Sequence, residues 1–293
     1  MASGTAGAVT TSHGRGGRGA GTGSRAGRLA VYVTLLTASA ATVVPLLYMI
    51  TLSLQTESET LSGRAVIVPE SPQWGNYVTL FREAPFADFV VNSVIVAGGI
   101  TLAHLLFDPL VGYVFAKFDF PLKNTLFFAI LATLMIPLFV RMIPLYVMMS
   151  NLGWLNSYQA LILPFVMDGF GIFLMRQFIQ PLPDDLLDAA RVDGASEFAV
   201  YRRIVLPQVK PALAVLGLFT FVFQWNEFLW PLVATSTEDM RTIPVGLTLF
   251  NQEHFTLWHL TAAGSVIMFV PTALILVLAQ RSFVRGIALT GLK

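Results

Sequence analysis

Ionisable side chains are scarce in this chain, so the few that fall inside apolar runs stand out. His104 and Asp108 are four residues apart, which places them on one face of a helix. Such a pair is either a proton relay or an internally hydrogen-bonded pair, and the residue types leave both open. Asp168 sits in a second apolar run, facing a solvated path or lying near enough to a surface to be hydrated. A third run carries Gln224-Trp225-Asn226-Glu227. Indole faces stack on C–H surfaces while amides and carboxylates bond hydroxyls, so Trp225, Asn226 and Glu227 are candidates for contact with a hydroxyl-rich solute. Four consecutive residues spread around a helix axis, however, so only some can face a path. The rest would act as helix–helix contacts.

Other chemistries are excluded more firmly. Gly14, Gly16 and Gly19 satisfy GxGxxG, but no strand pattern precedes them and no helix pattern follows, so the dinucleotide reading fails. A phosphate-binding loop needs a Gly-Lys pair, and the four lysines follow Ala116, Leu122, Val209 and Leu292. With no cysteine and four scattered histidines, neither a nucleophilic triad nor a metal site stands out, and none is expected.

The elements that position these residues follow from composition. The chain is 55% hydrophobic and only 12% charged, far below the quarter charged of an ordinary soluble domain. Apolar runs long enough to cross a bilayer are expected at about 29–54, 89–116, 124–139, 158–175, 212–232 and 258–279. The second is expected to be interrupted at Asp108-Pro109. Arg141 is expected to reach the outer interface just past the third. Residues 1–28 are Gly, Ser, Thr, Ala and Arg, a composition expected to stay disordered as a cytoplasmic tail, with residues 29–293 forming the transmembrane domain. A net charge of +1 gives no electrostatic case for nucleic acid. With six spans and both termini inside, fourteen of eighteen Lys and Arg fall on the cytoplasmic side, leaving only Arg64, Arg82, Arg141 and Arg241 outside. The expected fold class is therefore an all-α integral membrane protein of six spans.

One charged island interrupts the apolar runs, residues 183–211 between spans four and five. Pro183 opens a helix, with Asp184 or Asp185 able to cap free N–H groups. Gly194 breaks it, Ser196 can cap a second helix, and Pro207 is expected to end that one. The small Ala189 and Ala190 beside Asp188 let another surface approach closely, which makes this helix–turn–helix a docking element on the cytoplasmic face.

Its spacing, acid-Ala-Ala, three residues, Gly, nine residues, Ile-x-Leu-Pro, resembles the "EAA" loop of membrane subunits of binding-protein-dependent ABC importers. With Asp193-Gly194-Ala195-Ser196 it looks most like the carbohydrate branch, in particular the subunit similar to the second permease of the maltose transporter. Asn92-Ser93, Gly112-Tyr113, Pro137, Pro144, Trp225-Asn226, Phe228, Pro231 and Pro271 also fit, so the likeness covers roughly 29–293. Asp188 stands where Glu is usual, Lys117 where Arg is usual, and Asp108-Pro109 where the family has small or apolar residues. The resemblance implies a non-enzymatic permease subunit in the cytoplasmic membrane of a prokaryote, moving a sugar or sugar-derived solute. Asp188, Ala189, Ala190, Asp193, Gly194 and Ala195 would contact an ATPase. Asn226, Glu227, Trp225 and Asp168 would be candidates for the solute path. Partners would be a homologous permease, a dimer of ATP-binding subunits carrying the ATP and Mg2+, and an extracytoplasmic solute-binding protein. The competing reading is a proton-coupled secondary transporter built on His104 and Asp108, which would leave the island without a role.

Overall fold

The structure, a computed structural model, describes residues 25–63, 66–251 and 256–290, with side chains of the last helix described as far as Leu278. Among these residues there is no strand, only an isolated bridge between Asn251 and Thr256. The helices are α1 (Arg25–Ser53), α2 (Glu57–Leu61), α3 (Gly75–Glu83), α4 (Phe86–Lys117), α5 (Lys123–Thr133) and α6 (Leu138–Asn151). They continue with α7 (Tyr158–Ile162), α8 (Gly169–Ile179), α9 (Asp184–Val192), α10 (Glu197–Val200) and α11 (Leu206–Gln208). The last four are α12 (Lys210–Trp225), α13 (Leu229–Ala234), α14 (Ile243–Gly246) and α15 (Trp258–Thr290). Residues Met1–Leu47 form one unit, whose described part is the N-terminal portion of α1; Tyr48–Lys293 forms the other and holds the core. Helix is already formed at Arg25, inside the stretch expected to be disordered. The rest of that expected tail, residues 1–24, lies outside the described residues.

Three of the described helices are long and apolar enough to cross a membrane: α1, α4 and the Trp258–Leu278 part of α15. The count rises to six when each of three bent helix pairs is taken as one span. The bends correct the expected unbroken spans. The third expected span stops at Thr133, and α6 leaves at 95° because Pro137, extended at ψ 145°, cannot continue the helix. The fourth breaks between Phe165 and Gly169, with a bend of 40°. The fifth begins at Lys210 after an 80° turn and ends at Trp225, so 212–232 is two helices rather than one. Conversely, α4 runs unbroken through Pro109, correcting the interruption expected there. Proline removes one backbone donor, and a span tolerates that where neighbours re-satisfy the freed group.

The long α4 is the post around which the rest packs. Its first turns, through Phe86, Phe89 and Ala97, join Trp225, Leu260 and Ala263 in one core cluster. Its far end, through Tyr113, joins Met175, Leu187, Val205 and Leu216 in another. Gly112 lets α8 lie directly against α4, since a Cβ there would stand 2.9 Å from the backbone nitrogen of Arg176. Near the start of α4, Asn92 Nδ2 donates to the carbonyls of Asp239 (2.7 Å) and Arg241 (2.9 Å), and the Ile243 N–H donates to Ser93 Oγ (2.8 Å). These bonds pin the 239–243 segment to the post.

Candidate functional site

The island folds as the spacing predicts, with two local corrections. No side chain caps α9: Pro183 occupies the cap position, and Asp184 and Asp185 sit in the first turn, where the helix dipole favours them. The second helix also runs past Pro207, as a five-residue π segment (Tyr201–Val205) and then α11, before turning at Val209. Between them the chain makes a Schellman turn. Gly194 N–H donates to Arg191 O and Ala195 N–H to Ala190 O, both at 3.0 Å, with Gly194 at φ +82°. Ser196 Oγ then accepts from Ala199 N–H at 3.3 Å and caps α10.

Two cations hold this hairpin. Arg191 donates to Glu197 Oε1 through Nε (2.7 Å), to Glu197 Oε2 through Nη2 (3.2 Å) and to Asp188 Oδ1 through Nη1 (2.7 Å). The hydrogen bonds to Glu197 and Asp188 hold the guanidinium above its ordinary value, and Arg191 in turn lowers the Glu197 carboxyl. Lys117, at the end of α4, donates to the carbonyls of Gln180 (3.2 Å) and Leu182 (2.5 Å) and to Asp184 Oδ1 (2.7 Å). Its hydrogen bond holds the Asp184 carboxyl below the usual carboxylate range. Leu187 is buried in the second core cluster, whereas Asp188, Ala189, Asp193 and Gly194 are exposed and Ala190 and Ala195 are half-buried. Val192 at 87% exposure and Phe198 at 64% flank them, a small-residue surface edged with apolar side chains.

Within the apolar layers, His104 and Asp108 form a closed buried pair, Nδ1 to Oδ2 at 2.6 Å. The other ring nitrogen, Nε2, lies 2.9 Å from the carbonyl of Phe165, to which it can only donate. Nδ1 therefore either accepts from a protonated Asp108 or donates to its carboxylate, so the pair holds one shared proton. The pair is also structural: it satisfies the carbonyl at the break before α8. Gly171 makes the necessary room, because a Cβ there would collide with the Asp108 carboxylate. Asp168 is exposed and caps α8, its Oδ1 accepting from Gly171 N–H at 2.8 Å. One atom from each of His104, Asp108 and Asp168 lies within 4.8 Å of the others. Both imidazole nitrogens are already engaged, so the geometry is that of a hydrogen-bonded post rather than a metal cage.

The candidates on the fifth span are divided by the helix end. Trp225 is buried, its Nε1 donating to Met268 O at 2.9 Å and its ring stacked on Phe221, so it joins α12 to α15 rather than facing a path. Asn226 is exposed and donates to Val222 O (2.7 Å), while Glu227 Oε1 accepts from Leu229 N–H and Trp230 N–H and caps α13. Sequence reasoning missed two residues that share a cavity with His104 and Asp168, Arg141 on α6 and Thr220 on α12; Gln224 on α12, named only as a neighbour of Trp225, lines it too. Arg141, expected at an outer interface, lines this cavity; its charge in an apolar stretch was the available signal.

Among the described residues the protein is all helical, with helices long and apolar enough to cross a membrane and an ordered polar hairpin between them. The family described as binding-protein-dependent transport system inner membrane component matches residues 109–289, and this chain belongs to that family. It is 35% identical over 254 residues to the arabinooligosaccharides transport system permease protein AraQ of Halalkalibacterium halodurans, covering 86% of this chain and 91% of that one. It is 37% identical over 235 residues to the sn-glycerol-3-phosphate transport system permease protein UgpE of Salmonella typhi, covering 80% and 83%. The fold is shared with a bacterial ABC transporter involved in import of the acidic polysaccharide alginate, at TM-score 0.78 and 22% identity over 88% of this chain and 98% of that chain. The resemblance read from the loop spacing holds: the chain is an inner-membrane permease subunit of the binding-protein-dependent ABC importers. That membership sets aside the proton-coupled transporter built on His104 and Asp108.

Proposed function

We propose that this subunit crosses the membrane six times with both termini in the cytoplasm, and that it moves a sugar or sugar-derived solute inward. It pairs with a homologous permease above a dimer of ATP-binding subunits, which carry the ATP and Mg2+, and it receives solute from an extracytoplasmic binding protein. The observation that carries this reading is the hairpin at 184–208. It is closed by a Schellman turn, locked to the end of α4 by Lys117, and offers Asp188, Ala189, Asp193 and Gly194 on its outer side, with Ala190 and Ala195 half-buried beside them. Small side chains there admit the surface of an ATP-binding subunit, and the locks pass its movement to the spans.

ATP binding closes the ATPase dimer and carries the docked hairpin with it. Because Lys117 ties α9 to α4, and Leu187 packs with Tyr113 and Leu216, the displacement reaches α4, α8 and α12 as a rigid-body shift. ATP drives the exchange between inward-facing and outward-facing states only through its different affinity for the two. The sugar-type cargo is favoured by the names of two relatives, one for arabinooligosaccharides and one for glycerol phosphate, and by a fold neighbour for a polysaccharide.

The test is purification of the tagged chain from native membranes in mild detergent, beside Gly194→Trp. The expected result is recovery of an ATP-binding subunit and a second permease with the wild type, and their loss with the variant while the chain still inserts. A wild-type chain that purifies alone overturns the reading.

A further inference from the structure

From the walls of the cavity between α4, α6, α8 and α12 we infer that this subunit itself holds an uncharged sugar unit, gripped by Asp168, Arg141 and Gln224. The inference rests on the importer reading and names which of this chain's own groups would meet the cargo.

The cavity has a volume of about 380 Å3, within the range of roughly 300–1,000 Å3 typical of small-molecule sites. Phenyl rings of Phe165, Phe170, Phe219 and Phe223 line it. Three take part in ring contacts: Phe170 lies edge-on to Phe219 with centroids 6.4 Å apart, and Phe165 edge-on to Trp230 at 6.0 Å. Fixed aromatic faces suit the C–H side of a sugar ring and lose little entropy on contact.

The polar groups are few and available. Asp168 spends Oδ1 on the cap of α8, and among the described residues no hydrogen bond is made by its Oδ2. Nor does the side chain of Arg141 or Gln224 make a hydrogen bond or ion pair among the described residues, although both line the cavity. An ionisable group with no partner at membrane depth is costly and marks a path or a ligand. Behind this wall the His104–Asp108 pair carries one shared proton, so it adds no net charge as a unit. That leaves one guanidinium against one carboxylate. Such a wall gives no net attraction to a phosphate or a carboxylate ligand. It offers acceptors and donors together, which is what vicinal hydroxyls, each both donor and acceptor, require. The chemistry therefore selects a neutral polyol ring over a phosphate ester.

The chain contains no cysteine, so Thr220→Cys places a single thiol on the cavity wall. The measurement is the rate at which a water-soluble maleimide labels that thiol in the assembly purified in mild detergent, read by mass on this chain alone. Arabinose, arabinotriose and maltose are compared with sn-glycerol 3-phosphate, each in large excess. The neutral sugars as a set, through at least one member, are expected to slow labelling several-fold, and glycerol phosphate to leave it unchanged. Asp168→Asn keeps the helix cap, since Asn caps as well as Asp, yet it and Arg141→Gln should each abolish the protection. Protection by glycerol phosphate instead, protection that survives both substitutions, or protection by none of the solutes overturns the inference. Because recovery of the ATP-binding subunit is read from the same preparation, failure here with that subunit present sinks the sugar site and spares the importer reading.

Discussion

The ammonium of Lys117 lies 2.7 Å from the Asp184 carboxylate, and the same ammonium bonds the carbonyls of Gln180 and Leu182. One side chain at the end of the central helix therefore closes the start of the 184–208 hairpin. The Lys117 side chain is only 4% exposed, whereas that of Asp184 is 74% exposed, so the lock is buried on the span side and wetted on the hairpin side.

Acid should loosen this lock within a definable window. Asp184 is held below its ordinary value by Lys117, so its contribution is present above the unfolded carboxylate value, near pH 4, and is lost as pH falls through the lower folded value. Amide exchange across 182–192 is expected to be flat from pH 8 to about pH 5, after correction for intrinsic rates, and to rise only below about pH 4. Asp184→Asn should remove that acid-dependent step. Lys117→Met should raise exchange at every pH, because the Leu182 carbonyl loses a part-buried hydrogen bond and the Gln180 carbonyl an exposed one. Exchange in Lys117→Met no faster than in the wild type at any pH would show the lock to be idle.

Gly171 is required by Asp108 and not by backbone conformation. A methyl at this position would collide with the Asp108 carboxylate and stand 3.1 Å from Leu216 Cδ1. Gly171→Ala is expected to destabilise the protein by about 1–3 kcal/mol, the usual cost of overpacking. Adding Asp108→Ala should recover part of the loss in a detergent melting curve, since the colliding group is gone. An unchanged melting temperature in the single variant would contradict the close approach of α4 and α8.

The shared proton of His104 and Asp108 serves the fold in this account, not the energetics of transport. Asp108→Asn leaves a donor facing Nδ1, and neutral His104 can still donate Nε2–H to the Phe165 carbonyl. ATP-driven uptake should therefore survive Asp108→Asn within about threefold, on the order of 0.7 kcal/mol. His104→Ala should cost more, because it orphans that carbonyl at the broken span. Abolished uptake in Asp108→Asn, with normal assembly, would restore the proton-relay reading of the pair.

Local chemistry made much of this molecule legible from its residues. The hairpin could be read because Gly194 and Ser196 each have one dominant structural use, a left-handed turn and a helix cap, and both appear in those roles. Hydropathy marked the three long apolar helices, α1, α4 and Trp258–Leu278, since backbone in lipid must satisfy itself within helices. The bends did not follow. Hydropathy treats Ile136-Pro137 and Met167-Asp168 as parts of continuous apolar runs, whereas their backbone bonds depend on which neighbour supplies a partner. Pro109, with the same nominal signal as Pro137, leaves its helix intact. The cavity wall at Arg141 was hidden for a related reason: a segment bent by 95° brings its second half beside residues that hydropathy does not place together. Trp225 and Glu227, two residues apart in sequence, are separated in use by a helix end that composition alone does not mark.

The most direct test of the account places a crosslinker on the hairpin tip. Ala189 is exposed on α9, and the chain has no cysteine of its own, so Ala189→Cys carries a benzophenone maleimide at one defined point. Irradiation of native membranes, followed by mass identification of the adduct, reads the neighbour of that residue without any knowledge of the solute. The account predicts an adduct with an ATP-binding subunit, lost when Gly194→Trp is added. Adducts with lipid alone, or with a chain that binds no nucleotide, would contradict it.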